Sequence, residues 1–403
     1  DLHYFPTRRS SDLCKRLNCL RGLHPNERRN LQTGSDRNGS HNVRPKTEGR
    51  MGACYSFYYG LEGIHIEDNL VFAGGELMEN SLKPKVLISK CIEHESCRYD
   101  GSMISSDFVK RIKEYVSFVT VCPEVFIGLT IPRESIRMVF DDASQQKKLL
   151  SYINGIDHTQ KMHTFAHDFS ENIKNQGIHG VILKSRSPSC GIKEVKMYPG
   201  IGKVAALTIK SEGFFGGAVI EHNPHLPVED EGRLLNYDIR EHFLTQIYTL
   251  ARFERVKEKS SLGELVKFHS EHKYLLMAYN QAKQKELGVI VANLSKEKTD
   301  VVIHMYEALL KVALFKPLKK GRNTNMILHM FGYVSEHLSN GEKAFFLDQL
   351  SLYNENKKPF SVIMTILYGW AIRFDTKYLL NQKIFEPYPI EILDVMDSGK
   401  GIQ

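Results

Sequence analysis

Three cysteines each follow a short apolar run, at positions where a β-strand should end. Cys91 follows Val86-Leu87-Ile88-Ser89-Lys90 and Cys122 follows Phe118-Val119-Thr120-Val121. Cys190 closes the turn Ser185-Arg186-Ser187-Pro188-Ser189, which follows Gly180-Val181-Ile182-Leu183-Lys184. In an open parallel sheet the carboxyl ends of the strands line one crevice, and ligands bind there. Three thiolates converging on that crevice could hold an iron–sulfur cluster and leave one iron without a protein ligand, a Lewis acid. The separations of 31 and 68 residues match no local Cys-x-x-Cys pattern. Spacing alone therefore leaves buried core thiols as the competing reading.

The neighbours of these thiols carry more chemistry. Glu124, two residues past Cys122, offers a carboxylate that could take a proton from water, or simply cap a turn or helix. Lys184, Arg186 and Ser187 sit in a turn rich in hydrogen-bond donors, although its serines could equally stabilise the turn itself. Arg98 and Asp100 follow Cys91 in Arg98-Tyr99-Asp100-Gly101. All are expected in loops along one crevice, where function concentrates.

The elements that must position these groups alternate strand and helix. After a first strand beginning at Pro84, a helix is expected over 104–115 and a second strand over 118–122. A loop punctuated by Pro123 and Pro132 leads to a helix over 158–175, stopped at Gly177. A third strand is expected over 179–184, a short one over 194–198, and an apolar glycine-containing stretch over 213–221. The acidic segment 225–235 reads as a linker. From 238 on, apolar residues recur at three and four in 242–256, 262–280, 284–294, 299–315, 323–338, 342–355, 359–373 and 376–382. The expected fold is α/β: a Rossmann-like doubly wound parallel sheet domain over 84–230, followed by an all-α helical domain over 238–395.

Of the 403 residues, 42% are hydrophobic, enough for substantial cores. Seven cysteines at irregular spacing argue against a disulfide framework and for a reducing compartment. No run of 18 apolar residues and no signal-peptide core are present, so a cytoplasmic protein without a membrane span is expected. The net charge of +7 is uneven: +6 in residues 1–50, +5 in 251–403 and −4 between them. A basic last third beside a mildly acidic sheet domain is compatible with RNA binding. The first 13 residues resemble a translated sequencing adapter. Residues 1–83 are expected to be a disordered or non-native tail, with a natural start at Met51 or Met78.

Several motifs in order, Ser89-Lys90-Cys91, Arg98-Tyr99-Asp100-Gly101, Val121-Cys122-Pro123-Glu124-Val125, Pro132-Arg133-Glu134 and Lys184-Ser185-Arg186-Ser187-Pro188-Ser189-Cys190-Gly191, resemble the thiouracil desulfidase family. Phe268-His269-Ser270-Glu271-His272-Lys273-Tyr274 and Asn325-Met326-Ile327-Leu328-His329-Met330-Phe331 resemble the helical companion domain fused to some members. The fused members are similar to desulfidases of 4-thiouridine in tRNA, while single-domain members act on free thiouracil. The resemblance implies a [4Fe-4S] cluster held by Cys91, Cys122 and Cys190, with Cys97 a spectator thiol. It implies non-redox removal of sulfur, with Glu124 as base and Ser187 as proton relay or substrate anchor. Lys184 and Arg186 would offset cluster charge or bind phosphate. Lys311, Lys316, Lys319, Lys320 and Arg322 form a basic run expected to contact RNA, unless it is an ordinary solvated loop. His269, His272 and His329 are expected to serve helix packing or face RNA, with a metal site the lesser reading. A desulfidase of free thiobase with a structural helical domain, and a non-catalytic iron–sulfur RNA-binding or sensor module, are the alternatives. The oligomeric state stays open.

Overall fold

The computed structural model describes residues 82–294 and 297–393, so the expectations for the amino-terminal tail fall almost entirely outside the described residues. Four strands, β1 (Lys85–Ser89), β2 (Ser117–Val121), β5 (Gly180–Leu183) and β8 (Val228–Asp230), form a parallel sheet in the order β2-β1-β5-β8. The first three lie within a residue or two of their expected bounds. Side chains alternate across a strand, and both faces of this sheet are apolar. Val86, Ile88 and Ile182 face Phe108, Val109 and Ile112 of α1 (Asp107–Ile112). Leu87, Val181 and Leu183 face Ala166 of α3 (Thr159–Asn172) and Phe215 and Val219 of α4 (Phe214–His222). Helices on both faces of a parallel sheet make the doubly wound arrangement.

Two segments differ from the sequence reading. The expected loop before residue 158 contains the short helix α2 (Pro123–Phe126) and a hairpin of β3 (Ile136–Asp141) and β4 (Gln146–Ser151). With β6 (Val195–Tyr198) and β7 (Lys210–Ser211) the hairpin forms a second, mixed sheet in the order β4-β3-β6-β7. Its signal is weak because β4 begins Gln146-Lys147-Lys148 and fully buries only Leu149 and Ser151. The acidic segment 225–235 is not a linker but contains β8, the sheet edge beside β5. Its charges are held within the fold: Glu229 pairs with Arg233 at 2.7 Å and Asp230 accepts from the Arg233 N–H at 2.8 Å.

The carboxy-terminal helices are α5 (Tyr237–Lys259), α6 (Leu262–Ala292), α7 (Thr299–Leu314), α8 (Lys320–Val334), α9 (Asn340–Asn354), α10 (Phe360–Arg373) and α11 (Lys377–Leu380). They follow the periodicity closely; the expected break after 280 is a non-helical Asn280 inside α6. α5 belongs to both regions. Phe243, Leu244, Ile247 and Tyr248 cover the sheet face that carries Val86 and Ile88, while Leu250, Phe253 and Val256 enter the helical core. The sheet accommodates this close packing at Gly180, where a Cβ would lie 2.5 Å from Ile247 Cγ2.

Candidate active site

Parallel registry fixes the geometry of the site. Ser89 of β1 lies opposite Val121 of β2, so Cys91 and Cys122 both leave the sheet at its carboxyl end. Ile88 lies opposite Ile182 of β5, which brings the Cys190 turn to the same end. These exits border a cavity of about 330 Å³ lined by Cys91, Cys122 and Cys190, together with Glu124, Arg98, Lys184, Arg186 and Ser187. The structure thus gathers most of the residues singled out in the sequence. Among the sheet-domain candidates Asp100 is the exception: it is exposed and accepts hydrogen bonds from Ser102.

Glu124 is held at both oxygens. Arg133 donates to Oε2 at 2.6 Å and 3.0 Å, and Ser189 Oγ donates to Oε1 at 2.8 Å. Ser189 and Ser187 are joined at 2.9 Å. Because the one hydroxyl proton of Ser189 lies on Glu124, Ser187 is the donor in that bond. A directed chain Ser187→Ser189→Glu124 results. The Ser187 oxygen in turn accepts from the N–H groups of Ser189 and Cys190. Arg133 also reaches the Cys97 carbonyl at 3.1 Å, which ties the loop after β1 to Glu124.

The Cys190 turn is set by a helix. The N–H groups of Gly213, Phe214, Phe215 and Gly216 donate to the carbonyls of Gly191, Pro188 and Ser189 at 2.8–3.1 Å. These are helix-start donors that otherwise need a cap. The approach requires glycine, since a Cβ on Gly216 would lie 2.5 Å from the Cys190 carbonyl oxygen. Burial pushes the Cys190 thiol up to about 12. Contact with Cys97, then burial, lifts Cys122 well above the ordinary thiol range. A metal bound there would displace those protons.

Residues without an assigned role in the sequence reading also enter the site. Arg133 and Ser189 appeared in its motifs, yet nothing local indicated that both would meet Glu124. Cys97 is fully buried in the cavity wall, with its thiol against Cys122 and Cys91. Its contact with Cys122 draws its pKa down, while Cys91 and burial raise it, leaving it at about 11. Glu231 binds Lys184 Nζ at 2.6 Å and the Ser185 N–H at 2.8 Å. Lys184 is therefore occupied by an internal carboxylate, while Arg186 is exposed and reaches Glu194 at 3.5 Å.

The basic run lies elsewhere, at the start of α8. Lys320 is tied to Asn356 and stands over the Tyr353 ring; Arg322 donates to the carbonyls of Tyr279 and Pro317. Lys311 pairs with Glu307 at 2.8 Å, whereas Lys316 and Lys319 are exposed. The helical histidines do not converge: His269 meets the Tyr306 hydroxyl, His272 is buried against Phe268, and His329 is exposed.

A parallel α/β domain with three thiols and a hydrogen-bonded carboxylate at the carboxyl end of its sheet has the form of a metal-dependent enzyme. Comparison with known proteins narrows this class. Residues 86–231 match the family model described as 2-thiouracil desulfurase, and residues 273–389 match DUF1722, a family of unknown function. The chain thus carries a 2-thiouracil desulfurase domain followed by a DUF1722 companion domain. YbgA of Escherichia coli (strain K12), an uncharacterized protein, is 24% identical over 158 residues, covering 39% of this chain and 93% of that protein. YbbK of Bacillus subtilis (strain 168), also uncharacterized, is 29% identical over 139 residues, covering 32% and 91%. The solved [4Fe-4S]-dependent thiouracil desulfidase TudS is 26% identical and covers 38% of this chain and 93% of its own, with a TM-score of 0.31. No helix among the described residues is long and apolar enough to cross a membrane.

Proposed function

We propose that the protein is a [4Fe-4S]-dependent desulfidase that removes sulfur from a thiolated pyrimidine by hydrolysis. The observation that carries this reading is the convergence of Cys91, Cys122 and Cys190 on one cavity with Glu124. The donor set fits a cluster better than a single ion. Among the described residues, the trio of possible ligand atoms lying within 4.8 Å of one another is His167, Glu171 and His222; the pocket thiols form no such tight group. A cluster takes its thiolates on separate iron atoms and so suits a wider set. When bound, it supplies a Lewis acid that polarises the carbon–sulfur bond.

The protein residues provide the remainder of the mechanism. Glu124 is the base that accepts a proton from the attacking water. Arg133 and Ser189 fix its orientation, and the chain Ser187→Ser189→Glu124 points its hydroxyl protons at the carboxylate and keeps it an acceptor. Arg98, steadied by a bond to Ser102 Oγ at 3.0 Å, borders the same cavity and offers a cationic group to orient a substrate.

For the substrate, 4-thiouridine in tRNA is the first reading, supported by the fused helical domain and by exposed Lys316 and Lys319. Free thiouracil is the second, favoured by the internal engagement of Lys320 and Arg322. The test is anaerobic incubation of cluster-reconstituted protein with tRNA containing 4-thiouridine and, separately, with 2- and 4-thiouracil, beside Cys190→Ser. Conversion of tRNA by the wild type alone supports the first reading, and conversion of free bases alone the second. No conversion of either, with the cluster intact, overturns the enzymatic proposal.

A further inference from the structure

On the sheet face opposite α5, two histidines and a glutamate stand together outside the thiol cavity. His167 and Glu171 are four residues apart on α3, a spacing that places both on one helix face. His222 is the last residue of α4, which packs against α3. One ligand atom from each of the three lies within 4.8 Å of the others, and His167 Nε2 is 3.7 Å from Glu171 Oε1.

The groups behind these side chains orient them as in a built metal site. Asp168 Oδ1 lies 3.4 Å from His167 Nδ1, which directs Nε2 toward Glu171. Buried Ser170 donates to the His167 carbonyl at 3.1 Å, so its oxygen accepts from His222 Nδ1–H at 2.5 Å. The lone pair on His222 Nε2 is then open to a ligand. Asn223, next in sequence, donates to the Ser170 carbonyl at 2.9 Å and holds the end of α4 in place. Metal-bound histidines characteristically donate their other ring nitrogen to a carboxylate, carbonyl or water, a place the Ser170 hydroxyl takes for His222.

We propose that His167, Glu171 and His222 bind a divalent transition-metal ion, zinc by ligand type. Two imidazoles and a carboxylate match zinc's preferences, whereas magnesium and calcium select all-oxygen sets. The ion would clamp the carboxyl end of α4 to α3. The opposite end of α4 holds the Cys190 turn through its N–H groups. With three protein ligands and a water in the fourth position, the ion would brace that turn from a distance.

Cobalt(II) titration of the full chain tests this directly, because cobalt on thiolates gives intense charge-transfer absorption and cobalt on nitrogen and oxygen does not. We expect one equivalent bound without that absorption and displaced by zinc. His222→Ala, and separately the exposed Glu171→Gln, should weaken this component at least tenfold. Ser170→Ala should weaken it by about ten- to a hundredfold. Zinc should raise the melting temperature of wild type by more than that of Glu171→Gln, since both keep the cavity thiols. Cobalt binding solely through thiolates, or a nitrogen–oxygen component of unchanged affinity in both His222→Ala and Glu171→Gln, would overturn the proposal.

Discussion

The two halves of the chain use their polar residues in opposite ways. In the sheet domain, Cys91, Cys122, Glu124, Ser187 and Cys190 come from separate strand exits and face one cavity. In the helical domain, polar groups close on their own surroundings: Lys320 on Asn356, Arg322 on the Tyr279 carbonyl, and Gln246 on the Leu314 carbonyl. The difference follows from architecture. A parallel sheet brings the loops of distant segments to one end, whereas the packed helices turn mostly apolar side chains toward one another in their shared core. The candidate thiols and carboxylate therefore converge within the sheet domain, whereas these polar groups of the helical domain are engaged within it.

The largest test of this contrast is Cys190→Ser. It should abolish cluster retention and turnover, read as iron and sulfide content after anaerobic reconstitution; full iron content would remove Cys190 from the site. Glu124→Gln should keep the iron and lower turnover by about 10²- to 10⁴-fold, the range of general-base catalysis. Normal turnover would move the base elsewhere. Gly216→Ala sharpens the contrast from the structural side. Its added Cβ collides with the Cys190 carbonyl, so it should cost about 1–3 kcal/mol in denaturant unfolding and impair cluster loading as well. A variant that loses stability but loads normally would uncouple α4 from the turn.

Glu241 on α5 tests the contact between the halves. Burial lifts its carboxyl from 4.5 to about 7, and it accepts from the Tyr388 hydroxyl. The folded state therefore holds this proton more tightly than the unfolded chain. Its contribution to stability is complete below about pH 4.5 and is lost as pH rises through 7. Glu241→Gln should flatten that fall, gaining on the order of a few kcal/mol over wild type at pH 8. Unfolding midpoints at pH 5 and pH 8 provide the measurement, and parallel shifts at both would show that the titration is not at Glu241. The smallest effect is expected at the basic run. Lys320→Ala should cost about 1 kcal/mol or less in stability, and Lys319→Glu nothing measurable. If Lys319→Glu nonetheless lowered desulfidation of tRNA while sparing free thiobases, the helical domain would have a substrate role and the contrast would narrow.

Much of this was legible in the residues. Apolar runs ending at Cys91 and Cys122 located β1 and β2, and the three-and-four periodicity after 238 located the helices, including the interruption at Asn280. The hairpin β3–β4 escaped because β4 opens on glutamine and two lysines and β3 buries two successive residues, Met138 and Val139, so alternation is faint in both. Glu229, Asp230 and Glu231 read as a solvated linker because sequence gives charge without partners. In the fold they meet Arg233, Lys184 and Ser185 on an edge strand.

What the sequence determined by itself is the inventory and its order: which strands end in thiols, which turn carries donors, and which segments must be helices. These follow from local periodicity and from motifs short enough to read along the chain. Only the tertiary structure decided the pairings. Arg133 and Ser189 orient Glu124 from 9 and 65 residues away, Cys97 lies against two other thiols, and α4 braces the Cys190 turn. The physical reason is that hydrogen bonds and packing act over ångströms of space, and chain separation carries no record of which distant groups the strand registry will bring together.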